Sequence, residues 1–314
     1  MSLDRRPSFI LGPGGRHGWR VLEEGSGTVL AVFERCVYLR GAHGLCCLTL
    51  PELPAGPLNV RLDPVVVAGV PSTTIDVVRW PLSMRIGAEW MLDSDGLRIG
   101  PAHAQPLAGS PPGGPPCRWR PPSVTLPHIR SLQDGYAVLV HLLDQPSARA
   151  VASDVEAMSG ADARFERRLR RGILALRGWL CRAVDCSRLD PPEEIGVLLG
   201  CGPGLTPSGD DVLVGALVSL WMLGLDTCAT RLAGLVRRLA SRHTGLISQA
   251  HLHAACAGEG IEPLHRLIEA ISGPHPYAIR SALERLRAHG HRSGVDSLRG
   301  VQVVFDVVAR PVAS

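Results

Sequence analysis

Residue types that could bind a small anion occur together at residues 202–211, in the decapeptide GPGLTPSGDD. Its glycines and prolines predict a loop, and Thr206, which precedes Pro207, is disfavoured in helical geometry. A helix can therefore begin no earlier than Ser208. Because a helix start offers unpaired N–H groups and the positive end of the helix dipole, this stretch suits a carboxylate or a phosphate.

The loop and the first helical turn supply the candidate substrate-binding groups. A ligand approaches the backbone most closely at glycine, and hydroxyl groups can donate to an anionic oxygen. The candidates are Gly202, Gly204, Leu205, Thr206, Ser208 and Gly209.

A second stretch repeats this pattern near the C-terminus. Residues 208–215 read SGDDVLVG and residues 293–300 read SGVDSLRG. The repeat predicts a second helix start, with Ser293 and Gly294 as a second anion-binding pair. Glycine inside a helix costs about 1 kcal/mol relative to alanine, so we expect another backbone to approach closely at Gly215 and Gly300. The two helices could pack on each other or on equivalent neighbours.

The two copies differ at one carboxylate. With Ser208 and Ser293 as N-caps, Asp211 and Asp296 would stand where a carboxylate returns a hydrogen bond to the cap, as in a capping box. Asp210 has valine as its counterpart in the second copy and is not explained by capping. We therefore predict that Asp211 and Asp296 are structural caps. Asp210 is predicted to be catalytic, orienting or deprotonating an attacking amine or water.

One histidine adds a second catalytic candidate. His291 lies two residues before the second helix start and could exchange protons near neutral pH. His251 and His253 are two apart on a predicted helix and face different sides, which does not suit a zinc pair. No motif typical of a zinc protease or of a serine hydrolase occurs in the sequence.

Composition excludes several functional classes. The chain has 314 residues, enough for two domains, and its 45% hydrophobic content excludes a disordered protein. A net charge of +4 and 4% aromatic residues argue against nucleic-acid binding. All 33 basic residues are arginine, which excludes Schiff-base chemistry and a phosphate-loop lysine and is typical of a GC-rich bacterial genome.

Cysteine usage and hydropathy bear on localisation. The nine cysteines lack CxxC spacing, and no signal peptide precedes them, so we expect reduced thiols in a cytoplasmic protein. The apolar stretch that follows Asp211 is shorter than the roughly 20 residues that span a bilayer. We therefore expect no membrane association.

The N-terminal part, residues 1–127, is predicted to be a β-rich domain. Residues 1–18 lack a nucleotide-binding fingerprint and are taken as a loop. Short strands at this spacing favour a small sandwich or barrel. They are predicted at 28–39, 45–50, 58–62, 65–70, 73–78, 84–91 and 97–99, with a hairpin turn at 95–96. Prolines and glycines dominate 100–127, which is predicted to be an exposed linker without regular structure.

The C-terminal part, residues 128–314, is predicted to be a mainly helical domain that carries the decapeptide. The chain as a whole is therefore expected to be α+β. Helices are predicted at 129–143, 148–158, 161–184, 193–199, 210–223, 227–241, 246–257, 261–271, 277–288 and 294–309.

The decapeptide resembles that of the AllH-like proteins, a family that includes a subunit of oxamate carbamoyltransferase. The resemblance extends to residues 244–248, TGLIS, to the pairs at 258–259 and 263–264, to residues 290–296 and to the N-terminal region at 33–51. It implies a part in carbamoyl transfer, with oxamate and carbamoyl phosphate in the known case. It also adds Thr244 and Ser248 to the candidate substrate-binding residues.

Two functions follow as alternatives. The first is an enzyme, or an enzyme subunit, that transfers or hydrolyses a carbamoyl or similar acyl group on a small anionic substrate. An arginine, or Mg²⁺ bound through Asp210, would then have to offset the aspartates beside that anion; no other cofactor is indicated. The second is a non-catalytic subunit or scaffold of a multi-protein complex. Either function is compatible with partner subunits or with self-association of the chain.

Overall fold

The computed structural model describes residues 8–64, 84–94, 96–100, 102–106, 118–122, 129–145, 160–186, 189–273 and 277–309. The chain divides into two compact units, residues 1–120 and residues 121–314. The predicted strands at 65–70 and 73–78, the predicted helix at 148–158 and the predicted boundary at residue 127 lie outside the described residues.

Nine strands of the described part form one sheet in the first unit. Their bounds are β1 Ser8–Gly15, β2 Ser26–Val32, β3 Cys36–Arg40, β4 Leu45–Thr49, β5 Asn59–Pro64, β6 Glu89–Asp93, β7 Gly96–Ile99, β8 Ala102–Pro106 and β9 Arg118–Trp119. The order is β5-β4-β3-β2-β6-β7-β8-β1-β9, and β1 also pairs with β5. The sheet therefore curls back on itself, which confirms the β-rich first half of an α+β chain.

Alternating side chains fill the inside of the curled sheet. Val37 and Leu39 on β3, Val60 on β5 and Trp90 on β6 are almost completely buried. Burial of this kind contributes about 25 cal/mol per Å² of apolar surface, so these residues help to stabilise the first unit.

The glycine-rich N-terminus is not the loop that its composition predicted. It forms β1, which is followed by helix α1, Arg16–Leu22. A Cβ at Gly15 would lie 2.1 Å from the carbonyl oxygen of Gly56, and one at Gly18 would lie 2.3 Å from that of Leu58. These glycines therefore allow close backbone approach rather than a turn.

Two further predictions in the first unit need correction. The strand predicted at 28–39 is interrupted at residues 33–35 and forms the β2–β3 hairpin. The segment predicted to lack regular structure contains β8 and β9, both of which pair with β1 through the backbone. Strands β6 and β7 pair antiparallel, as the predicted hairpin requires; Asp95 itself lies outside the described residues.

Helices make up the second unit, as predicted. Their bounds are α2 Ile129–Asp144, α3 Gly160–Ala183, a 3-10 helix Glu193–Leu198, α4 Ser208–Met222, α5 Asp226–His243, α6 Leu246–Ala255, α7 Glu262–Ser272, α8 Tyr277–Arg287 and α9 Ser293–Val308. Within the described part of the chain, none of these helices combines the length and the apolar character needed to cross a membrane.

Helix α4 is the centre of this unit and packs directly on α9. A Cβ at Gly215 would lie 1.9 Å from the carbonyl oxygen of Ser297, and a Cβ at Gly300 would lie 2.0 Å from that of Val212. The contacts are reciprocal between the two copies of the repeated pattern. The prediction of close backbone approach at Gly215 and Gly300 is therefore confirmed, with each helix the partner of the other.

Candidate anion-binding site

Glycines hold the starts of α4 and α9 against neighbouring backbone. A Cβ at Gly209 would lie 2.1 Å from the carbonyl oxygen of Leu198, and one at Gly294 would lie 1.8 Å from that of Leu286. Ser208 is also buried, at 4% exposed. These positions fix where the two helices begin; binding of substrate by Ser208, Gly209 and Gly294 stays a prediction.

A hydrogen bond joins the two copies of the pattern. Thr206 Oγ1, in the loop before α4, lies 2.8 Å from Ser293 Oγ, the first residue of α9. The N-terminal ends of the two helices are therefore side by side. We call this place, where Thr206 meets Ser293, the joined helix starts. Each helix start is the positive end of a helix dipole, so two adjacent starts favour negative charge beside them.

Asp210 is brought together with both residues that the resemblance added. One carboxylate oxygen accepts a hydrogen bond from the N–H of Gly200 at 2.9 Å. The other accepts from Ser248 Oγ at 2.7 Å and from Thr244 Oγ1. Burial raises the pKa of Asp210, while the hydrogen bonds from Thr244, Ser248 and Gly200 lower it. The carboxylate ties the start of α6 to the residues that precede the glycine loop.

This bonding does not fit a magnesium ion at Asp210. Both carboxylate oxygens already accept hydrogen bonds from the protein, and a hard cation needs free oxygen ligands. Among the described residues, no group of three or more histidine, cysteine, aspartate or glutamate side chains is arranged to hold a metal.

Asp211 and Asp296 lie closer to the joined helix starts and keep one oxygen each without a hydrogen bond. Both side chains are buried, at 6% and 1% exposed, and Oδ2 of each has no hydrogen-bond partner. Burial raises the pKa of Asp211 well above its ordinary value. Hydrogen bonding from Ser293 and Thr206 lowers this pKa, whereas the charge of Asp296 raises it further.

The capping role predicted for Asp211 and Asp296 is not what the structure shows. Pro207, not Ser208, is the N-cap of α4, and Arg292 is the N-cap of α9; neither helix has a side-chain hydrogen bond at its cap. Backbone carbonyls bond the first-turn N–H groups instead, including Pro207 O for Asp211. Asp211 and Asp296 therefore do not cap their helices, as their spacing had suggested.

The loop that precedes α4 is open to solvent at its tip. Gly202 and Gly204 have φ values of 126° and 93°, which only glycine adopts without strain. A Cβ at Gly204 would meet nothing within 4 Å, and Leu205 is 51% exposed. These predicted binding residues are accessible, and contact with a ligand stays a prediction.

The histidines of this region differ in their exposure to solvent. His291 is exposed, and its catalytic role stays a prediction. His289 is partly buried, its Nδ1 has no hydrogen-bond partner, and burial lowers its pKa to about 4. Burial, with the charge of His289, also lowers the pKa of His251 to about 4.

Two arginines next to the joined helix starts were missed. Arg299 Nη1 lies 3.1 Å from Asp296 Oδ1, and Arg292 Nε lies 3.9 Å from Asp296 Oδ2. Arg292 Nη2 also lies 3.9 Å from Glu166 Oε1 on α3. Their spacing of three and four residues from Asp296 was the available signal. Both arginines add positive charge beside Asp296.

Comparison with known proteins bears on this region. The family model for oxamate carbamoyltransferase subunit AllH matches residues 198–305, a segment that contains both copies of the repeated pattern. No solved structure matches the chain. Over these residues the chain is therefore similar to a subunit of oxamate carbamoyltransferase.

Proposed function

We propose that this chain is a subunit of a carbamoyltransferase-type enzyme and that it binds a small anionic substrate where α4 and α9 begin. The hydrogen bond between Thr206 and Ser293 carries the proposal, because it brings two helix starts together in one place. The family match over this segment supports the reaction class.

The reaction in question is the transfer of a carbamoyl group from carbamoyl phosphate to the nitrogen of a small acid such as oxamate, in which that nitrogen belongs to an amide. The nitrogen attacks the carbamoyl carbon and a C–N bond forms. The C–O bond to phosphate breaks, phosphate takes its electron pair, and the proton that the nitrogen loses passes to the departing phosphate. Negative charge grows on the carbamoyl oxygen and the leaving phosphate, where preorganised donors are most effective.

The described residues offer such donors at the joined helix starts. Thr206 and Ser293 have hydroxyl groups there, and Arg292 is partly exposed with only long contacts to Asp296 and Glu166, both 3.9 Å. A guanidinium group in this setting can turn toward a phosphate or carboxylate at little cost. We infer that Arg292 is the main source of positive charge for the substrate.

We infer for Asp210 a positioning role. Its hydrogen bonds to Gly200, Thr244 and Ser248 hold the segment before the glycine loop against the start of α6. The base function predicted from the sequence would require one of these bonds to be released.

A non-catalytic subunit is the second candidate. The tight packing at Gly215 and Gly300 favours it, because the repeated pattern then serves only to join two helices. This alternative requires no ligand at the joined helix starts.

Thermal denaturation with added ligands separates the two candidates. Carbamoyl phosphate, oxamate and inorganic phosphate should each be tested on the wild-type chain, on Ser293→Ala and on Ser272→Ala. Ser272 is a buried serine on α7 whose hydroxyl has no partner, so it is a matched control. At about 100 times its Kd a ligand stabilises by about 2.7 kcal/mol. The proposal predicts this stabilisation by ligand for the wild type and for Ser272→Ala, and a smaller stabilisation for Ser293→Ala. If no ligand stabilises the wild type, the non-catalytic candidate stands.

A further inference from the structure

Asp211 has a buried oxygen whose bonding the fold leaves incomplete. Its side chain is only 6% exposed, and Oδ2 has no hydrogen-bond partner. The neighbouring Asp210 differs, since both of its oxygens accept bonds from the protein. Buried polar atoms are nearly always bonded, and an exception requires an explanation.

The charged groups around Asp211 come from three helices. Asp210 lies next to it on α4, and Asp296 on α9 raises its pKa. Arg299 and the N-cap residue Arg292 contact Asp296. Glu166 and Arg168 on α3 lie further out: Glu166 is near Arg292, and Arg168 donates to the carbonyls of Val197 and Leu199. Arg168, Arg292 and Arg299 bond to groups other than Asp211.

A buried carboxylate in these surroundings is costly when it is ionised. Two further carboxylates lie close by, and burial removes the water that would stabilise the charge. A protonated carboxyl group avoids both costs. It also gains an O–H donor, which an ionised carboxylate lacks.

We propose that Asp211 acts as a neutral carboxylic acid and donates a hydrogen bond from Oδ2 to an anionic oxygen of the substrate bound where α4 and α9 begin. This inference rests on the proposed function. The proton stays on Asp211 throughout, so the role is in binding and no bond to Asp211 forms or breaks. The substrate oxygen completes the bonding of the buried oxygen, and Ser293 and Thr206 orient the carboxyl group.

Substitutions separate a neutral donor from a charged carboxylate. Asp211→Asn keeps the size, the neutrality and a donor, whereas Asp211→Ala removes the donor. Oxamate is the probe, because its carboxylate stays ionised across the pH range. A hydrogen bond to a charged group contributes about 1.5–3 kcal/mol, so Asp211→Ala should weaken oxamate binding at least about tenfold. Asp211→Asn should bind oxamate almost as tightly as the wild type. Affinity of the wild type should fall as pH rises and Asp211 ionises, whereas that of Asp211→Asn should not.

Infrared spectroscopy tests protonation without a ligand. The difference spectrum between the wild type and Asp211→Asn at neutral pH should contain the C=O band of a protonated carboxyl group. Absence of that band overturns the inference, as does an Asp211→Asn variant that folds but binds as weakly as Asp211→Ala. If the substituted chains do not fold, the pH dependence of wild-type binding decides, and affinity that does not fall with rising pH overturns it. A wild-type chain that binds neither oxamate nor carbamoyl phosphate nor inorganic phosphate overturns the proposed function as well, whereas a chain that binds oxamate but lacks the band overturns this inference alone.

Discussion

The hydroxyl oxygens of Thr206 and Ser293 lie 2.8 Å apart, although 87 positions separate the two residues in the sequence. One belongs to the loop before α4 and the other begins α9, so the bond connects the two copies of a repeated pattern. The glycines deeper in both helices make this possible, because they let the two backbones come into contact.

The first prediction concerns those glycines. Gly215→Ala and Gly300→Ala would each place a Cβ within about 2 Å of a carbonyl oxygen of the partner helix. Overpacking of this kind costs about 1–3 kcal/mol. Gly234→Ala is the matched control, because a Cβ there meets nothing within 4 Å; it should stabilise the chain by up to about 1 kcal/mol. Urea unfolding measures all three, and equal stability of the three variants would contradict the packing described.

The second prediction concerns Asp210. Asp210→Ala leaves three donors without this acceptor; Ser248 is buried and Gly200 and Thr244 are partly buried. A buried donor without a partner costs about 1–3 kcal/mol, and a partly buried one costs less. Asp210→Asn should cost much less, because its amide oxygen can still accept from Gly200 and the hydroxyls of Thr244 and Ser248 can accept from its amide nitrogen. The free energy of unfolding checks both. A double-mutant cycle with Ser248→Ala should give a coupling energy of roughly 0.5–3 kcal/mol, and a coupling of zero would refute the network.

The third prediction concerns the pH dependence due to Asp211. The pKa of Asp211 is raised in the folded state. Its contribution to the free energy of unfolding is therefore complete below the ordinary pKa of 3.8 and is lost as pH rises through the folded-state pKa. The wild type should therefore become less stable relative to Asp211→Asn as pH rises. Unfolding of both chains between about pH 5 and pH 8 tests this. A difference that stays constant would show that Asp211 ionises normally.

The fourth prediction concerns His289. The pKa of His289 is lowered from 6.5 to about 4 in the folded state. Its contribution to the free energy of unfolding is therefore present above pH 6.5 and is lost as pH falls toward about 4. His289→Gln should remove that part of the acid sensitivity, which amounts to roughly 1–3 kcal/mol. Unfolding at stepwise lower pH measures it. His253→Gln, at an exposed position on α6, is the control; the same acid sensitivity in all three chains would contradict the prediction.

The sequence contained enough information for the α+β class and for close backbone contact inside α4 and α9, but it left open whether these helices pack on each other. The repeated Ser-Gly-x-Asp spacing located both helix starts, and the cost of glycine inside a helix predicted close contacts at Gly215 and Gly300. These features depend on local spacing and on the propensity of single residues, which can be recognised without a structure.

The environments of the aspartates depend on distant residues, so local spacing gave the wrong role for Asp211 and no hydrogen-bond partners for Asp210. Asp211 fitted a capping box by spacing, but Pro207 is the N-cap of α4. The hydrogen bonds to Asp210 come from Thr244 and Ser248, which lie 34 and 38 positions away. Strand β1 was missed for a similar reason, because it is stabilised by pairing with strands far along the chain rather than by its own β-propensity.

The most direct test of the central claim is a calorimetric titration of carbamoyl phosphate into the wild type and into the double variant Thr206→Val, Ser293→Ala. Both substitutions remove a hydroxyl group at the joined helix starts and keep the side-chain volume nearly the same. The claim predicts that the wild type binds and that the double variant, folded, binds at least tenfold more weakly, which corresponds to about 1.4 kcal/mol. The same affinity in both chains would place the ligand elsewhere and contradict the claim.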